Sequence, residues 1–195
     1  MGFRFIHTGM SNSTLKLLVM IAFLLIPFFA LAKEVPQTIH VADKILQLNG
    51  TGIRKATFLK VKVYVASLYL EKRSHSAEEI AQSPLARLEL NFVRDIGKER
   101  IQNAWKEAFD EHSRKYSGMD AEVSRFVSAF YAVKEGDHIS FDFLPKQIQV
   151  LEVGKAIFKS ENPDFRKALW SIFIGTNPIQ EDLKEGILGL GGVNI

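Results

Sequence analysis

Arg54, Tyr64 and Arg94 are the side chains whose types and surroundings suit chemistry, and that chemistry is recognition of an anion with an apolar body. Arg54 directly follows Gly50-Thr51-Gly52-Ile53, and glycines beside a cation let a ligand or a stretch of backbone come close to it. Tyr64 stands where one face of an alternating segment changes from basic (Lys60, Lys62) to apolar (Ala66, Leu68, Leu70), a polar-to-greasy boundary for a phenol. Arg94 continues the parity of Leu88, Leu90 and Phe92. The two guanidinium groups together suit an anionic head group whose tail enters an apolar layer. The same residues also read as solvated arginines at strand ends and ordinary strand filling, and both readings stay open.

Other chemistries find little support. The histidines His40, His75, His112 and His138 are far apart and none pairs with another at metal-ligand spacing, so no metal site is expected. His112 falls on an apolar helical stripe, the place of a packed or interface histidine. No GxSxG, Walker loop or GxGxxG occurs, and no cofactor is expected. Asn49-Gly50-Thr51-Gly52 precedes a strand rather than a helix, so it lacks the helix N-terminus that holds phosphate. The charge runs Glu78-Glu79 and Lys98-Glu99-Arg100 read as solvated helix faces. The absence of cysteine removes disulfides, thiol nucleophiles, CxxC redox chemistry and a lipidated cysteine.

The chain has 195 residues with formal charge +3. Its first 32 residues carry only Arg4 and Lys16 as full charges and end in an unbroken apolar run, Leu17 to Ala32. A basic start, an apolar stretch and Ala30-Leu31-Ala32 together read as a cleaved secretory signal over residues 1–32. Sixteen apolar residues fall short of the roughly 20 that span a bilayer, which disfavours a retained anchor. Cleavage leaves one domain, residues 33–195, with 23 basic against 22 acidic side chains, and a periplasmic location is expected. With near-neutral charge and no basic patch interleaved with aromatics, nucleic acid is not an expected partner.

Alternation and punctuation then supply the elements. Ile39 to Leu70 reads as β, with Ile45–Leu48 alternating, a turn at Asn49–Gly52 and a long strand from Phe58 to Leu70. A strand apolar on both faces towards its end is expected to be covered on both sides. A short helix near Ser76 ends at Ser83-Pro84, and Leu88–Phe92 is a strand. Ile101, Ala104, Trp105, Ala108, Phe109 and His112 mark a helix between Lys98 and Tyr116, and Asp120 is read as the cap of a second. A hairpin over 138–153 follows, then a helix opened by Asn162-Pro163 and stopped at Gly175, and a short helix from Ile179 to about Ile187. This order predicts an α+β fold, an antiparallel sheet covered on one face by helices.

Gly50-Thr51-Gly52-Ile53-Arg54 through Lys62–Glu71, Phe92-Val93-Arg94-Asp95, the Trp105 helix, Glu152–Ala156 and Ile172–Gly175 together resemble the chalcone isomerase-like superfamily, and its exported bacterial-type members in particular. The resemblance implies an open-faced β-sandwich with a ligand cleft between sheet and helices. It also implies one of two activities: conjugate addition on a chalcone, or binding of a fatty acid whose carboxylate is held by an arginine and a tyrosine. Arg54 falls on the shared arginine, and Tyr64 replaces the enzymes' catalytic threonine with the tyrosine of the fatty-acid binders. Asn103 matches the enzymes' helix asparagine, whereas Ile96 stands where their tyrosine would be and Phe165 and Arg166 where a hydroxyl would complete the site. The resemblance therefore implies a non-catalytic binder of a small amphipathic carboxylate. An isomerase or lyase on an enone-like substrate and an envelope protein-interaction module are the alternatives.

Overall fold

The computed structural model describes residues 35–56, 60–113, 115–116 and 118–191. The segment read as a secretory signal lies outside the described residues. Seven strands form one antiparallel sheet whose spatial order follows the chain: β1 (Thr38–Val41), β2 (Lys44–Ala56), β3 (Val61–Leu70), β4 (Ala86–Phe92), β5 (His138–Phe143), β6 (Ile148–Glu152) and β7 (Lys155–Ser160). Helix α1 (Ala77–Gln82) joins β3 to β4, α2 (Lys98–His112) and α3 (Asp120–Ser128) join β4 to β5, and α4 (Pro163–Ile174) and α5 (Glu181–Ile187) follow the sheet. The predicted α+β architecture is the one observed.

Strand parity decides the core. Tyr64, Ala66, Leu68 and Leu70 of β3, Leu88, Leu90 and Phe92 of β4, and Ile139, Phe141 and Phe143 of β5 are buried in one cluster with the helices. From α2 come Ile101, Trp105, Ala108 and Phe109, residues that recur at helical spacing while the opposite side stays wet. Helix α4 lies in the middle of this layer, buried at Phe165 and continuously from Ala168 to Ile174. It starts where Asn162 accepts a hydrogen bond from the Asp164 amide and Pro163 takes the first turn. Trp105 stacks on Phe130 with centroids 5.4 Å apart and meets Phe126 edge-on at 5.1 Å, so the aromatic rings lock α2 to α3. On the other face of the sheet, Val41, Leu46, Tyr69 and Leu85 form a second small core, so the end of β3 is indeed covered on both sides.

The segment Asn49–Gly52 does not turn. It continues β2, and Asn49 is a bulge: Leu48 pairs with Tyr69 and Gly50 with Leu68, leaving Asn49 unpaired between them. The bulge switches the parity of β2, so that Leu46 and Leu48 face the second core while Gly50, Gly52 and Arg54 share the helix-covered face with Leu68, Ala66 and Tyr64. Buried Asn49 is tied at both ends of its amide, donating to the Ile187 carbonyl at 3.0 Å and accepting from the Ser74 amide at 2.9 Å. The two glycines are there for a helix. A Cβ at Gly52 would lie 2.5 Å from the Leu183 carbonyl oxygen, and one at Gly186 would lie 2.4 Å from that of Thr51, so α5 packs backbone against backbone on β2. Gly186→Ala accordingly has to push α5 off the strand, and a loss of about 1–3 kcal/mol in chemical denaturation is expected.

A second bulge, between the pairs Arg54–Tyr64 and Lys55–Lys62, leaves Val63 as the extra residue of β3. Parity shifts there too, so Lys62 does not continue the face of Tyr64 as expected from simple alternation. Val61, opposite Ala56, takes that place. The strand itself begins at Val61 rather than Phe58, which lies outside the described residues. Three smaller differences complete the comparison. Helix α2 stops at His112, where the Ser113 hydroxyl and amide both turn back to the Phe109 carbonyl. Met119, not Asp120, occupies the cap position of α3, and Asp120 is the first helical residue. Strand β7 was not expected; it is joined to β6 by a tight turn with Val153 and Gly154 at φ 47° and 79°.

Candidate functional site

Between the sheet and α2 lies a cavity of about 430 Å³, within the roughly 300–1,000 Å³ range of small-molecule sites. Its walls are apolar: Val63, Leu90 and Phe92 from the sheet, Ile101, Ala104, Trp105 and Ala108 from α2, with Ile96, Phe173 and Ile179. Charged groups are confined to a few positions, with Arg54, Arg94 and Arg100 among the lining residues, and Asp95, Glu107 and Glu111 on the acidic side.

Arg54 and Tyr64 are directly opposite each other across β2 and β3, and Tyr64 in turn faces Phe92 on β4. The Tyr64 ring, 9% exposed, is held edge-on to Phe92 with centroids 5.6 Å apart. Burial pushes its hydroxyl pKa up to about 12 against the opposing pull of the Arg54 charge, so the phenol is a neutral donor at physiological pH. No described residue accepts that hydrogen.

Arg54 is positioned from behind. Its Nη1 donates to the Lys55 carbonyl at 2.5 Å and to Gln180 Oε1 at 3.2 Å. The Gln180 amide is itself clamped on the strand, accepting from the Lys55 amide at 2.9 Å and donating to the Ile53 carbonyl at 2.9 Å. Gln180 stands immediately before α5, so the glycine seam that seats α5 also delivers the residue that aims Arg54. Nε and Nη2 have no partner among the described residues, and that edge of a guanidinium is the one that grips a carboxylate with two parallel bonds. The arrangement can hold an anion at the sheet and shelter an apolar chain under α2.

Of the residues read from the sequence, Arg54, Tyr64 and Arg94 line the cavity. Asn103 does not: it is exposed on α2, turned to one side of the face that bears Ala104, Trp105 and Ala108. Arg166, expected near the site, donates instead to the carbonyls of Leu144 and Ser83, and Phe165 is buried among Phe109, Phe126 and Phe158. Ile96 lines the cavity as an apolar wall. Sequence reasoning missed Gln180, which has no local signal, and Arg100, whose charge run reads as solvent-facing although the residue borders the cavity. His112 also lines the wall; the Asn177 carbonyl 3.0 Å from its Nδ1 accepts a hydrogen from that nitrogen. Among the described residues, no group of three acidic or histidine side chains could hold a metal.

A chalcone isomerase-like family profile matches residues 32–189. The chain belongs to the chalcone isomerase-like family. Its fold is shared with the crystal structure of a fatty-acid binding protein of Arabidopsis thaliana, at a TM-score of 0.63 and 19% identity over 79% of this chain and 90% of that one. A comparison with curated proteins finds no match. In this member of the family the sheet, the helix layer and the cleft between them are all present, and no helix of the described residues is long and apolar enough to cross a membrane.

Proposed function

We propose that this chalcone isomerase-like protein binds a small amphipathic carboxylate of the fatty-acid type, without transforming it. The observation that carries this reading is the cross-strand pair of Arg54 and Tyr64, a guanidinium edge and a neutral phenol, both without an opposing acceptor among the described residues, at the side of a largely apolar cavity. The fatty-acid binding protein that shares the fold supports it. So does the wall itself, since Tyr64 contributes the one hydroxyl among the described lining residues and apolar Ile96 supplies no second one to orient an enone and a water. Binding rather than turnover is what such a wall supports. The reading includes export of the domain under the direction of residues 1–32.

The test is native mass spectrometry of protein produced from the full chain and purified without detergent, followed by displacement of a fluorescent acyl probe. A co-purified or added long-chain acid bound one to one is expected, and intact mass reads the processing of the N-terminus in the same run. Protein that stays empty and refuses the probe contradicts the proposal. Tyr64→Phe keeps the ring against Phe92 and removes only the donor, so probe affinity should fall about tenfold, from a hydrogen bond to a charged group of roughly 1.5 kcal/mol. An unchanged affinity would place the carboxylate elsewhere.

A further inference from the structure

The cavity wall holds a polar atom that the carboxylate does not use. His112 ends α2 and lines the cavity, and its side chain is only 14% exposed. Its Nδ1 hydrogen goes to the Asn177 carbonyl at 3.0 Å, and a carbonyl can only accept, so in the neutral ring Nε2 is the bare nitrogen. That bond serves the helix end, together with the Ser171 hydroxyl, which donates to the His112 carbonyl at 2.6 Å. Nε2 receives no hydrogen bond among the described residues. Glu111 Oε2 stands 3.7 Å from it, beyond hydrogen-bond reach, and is itself an acceptor.

The same loop sets His112 and Arg54. Asn177 fixes His112 through its carbonyl, and Gln180 fixes Arg54 through its side-chain amide. These two loop residues are three apart, so their Cα atoms are separated by at most about 11 Å. Between them in sequence, Ile179 lines the cavity and pins the loop, its amide donating to the Ile172 carbonyl at 2.8 Å. The lining is also divided by polarity. At the sheet stand hydrogen-bond donors, the Arg54 guanidinium and the Tyr64 phenol, and on the C-terminal half of α2 stand acceptors, His112 Nε2 and the carboxylates of Glu107 and Glu111.

We infer that the ligand is a hydroxylated acid, whose hydroxyl donates to His112 Nε2 while its carboxylate sits at Arg54 and Tyr64. The inference rests on the acyl-acid reading of the cavity and names the class of acid within it. A plain chain filling the cavity would strip Nε2 of water and offer it nothing, a cost that a hydroxyl removes. A hydroxyl fits better than an ammonium because a cation would be drawn to Glu111, which is 64% exposed and screened by water, whereas sheltered His112 takes a neutral donor without a counter-charge.

Hexadecanoic acid and its monohydroxylated forms, with the hydroxyl near the carboxylate, at mid-chain or at the far end, are compared by displacement of a fluorescent acyl probe. At least one hydroxylated isomer is expected to bind about three- to tenfold more tightly than the plain acid. His112→Phe keeps a ring in the wall and removes the acceptor, and the freed carbonyl of exposed Asn177 turns to water. In that variant the preference for the hydroxylated isomer should disappear; because a ratio is read, any change in affinity common to both acids cancels. A crystal structure of the parent with the preferred isomer reads the same contact without a variant, and a hydroxyl within hydrogen-bond distance of Nε2 is expected. Equal binding of the plain and all hydroxylated acids by the parent, a preference that survives in His112→Phe, or a hydroxyl bound away from Nε2 would overturn the inference and leave the acyl-acid reading standing. Tighter binding of an amino-substituted acid than of any hydroxylated one would overturn it too, and give that end of the cavity to Glu107 and Glu111. Refusal of plain and hydroxylated acids alike would remove both readings.

Discussion

Arg54→Ala is expected to weaken binding of a long-chain carboxylate by about ten- to hundredfold while leaving the domain folded. Hydrogen bonds to a charged group contribute about 1.5–3 kcal/mol, and truncation removes the guanidinium edge, Nε and Nη2, that faces no described protein acceptor. The fold should tolerate the loss because the Gln180 amide keeps its bonds to the Lys55 amide and the Ile53 carbonyl when the side chain is gone. Arg54→Lys separates charge from shape: an ammonium retains the attraction but not the fork, so only part of the affinity should return. Displacement titrations with both variants check this, and a parent-like affinity in Arg54→Ala would sink the assignment.

Asp142→Ala should destabilise the domain strongly at a place away from the cavity. Arg87 and Asp142 are in register across β4 and β5 on the face of the sheet that the helices do not cover. Their two parallel bonds, Nε to Oδ1 at 2.5 Å and Nη2 to Oδ2 at 2.7 Å, tie the centre of the sheet together. The side chains are 19% and 8% exposed, so removing the carboxylate strands a guanidinium that burial disfavours. Removal of one partner of a buried pair costs about 3–5 kcal/mol, and the partial exposure of Arg87 puts this one near the lower end. The Arg87→Met/Asp142→Leu double variant should lose far less, because no unpaired charge remains. Urea denaturation of the single and double variants measures both, and a single variant within 1 kcal/mol of the parent contradicts the assignment.

Much of this architecture is legible in the chain, and the exceptions have physical causes. Helices α2 and α4 announce themselves because Ile101, Trp105 and Ala108, and Asn162-Pro163 before Phe165, are local signals that tertiary structure does not overrule. Asn49–Gly52 misleads because paired glycines ordinarily punctuate a strand, whereas these two admit the backbone of α5, a helix more than 130 residues away in sequence. The parity of Lys62 fails for a similar reason, since the bulge at Val63 adds a residue that no alternation rule foresees. Strand β7 is hard to see because Phe158 is its one large buried side chain.

The site divides in the same way. Arg54 and Tyr64 are visible because each sits at a change in local pattern, beside glycines in one case and at the edge of an apolar face in the other. Their being opposite each other depends on the β2–β3 register, which alternation alone does not set. Gln180 and Arg100 join the site only when distant segments pack together, and Asn103 drops out because the helix turns it to solvent.

The central claim is that one carboxylate is held by Arg54 and Tyr64 with its chain under α2. A crystal structure of the protein with a saturated long-chain acid tests it most directly. The account predicts carboxylate oxygens within hydrogen-bond distance of the Arg54 guanidinium and the Tyr64 hydroxyl, and the chain lying against Phe92, Ile101 and Trp105. A carboxylate found at Arg94 and Arg100 instead, or a cavity that stays empty in saturating acid, would contradict it.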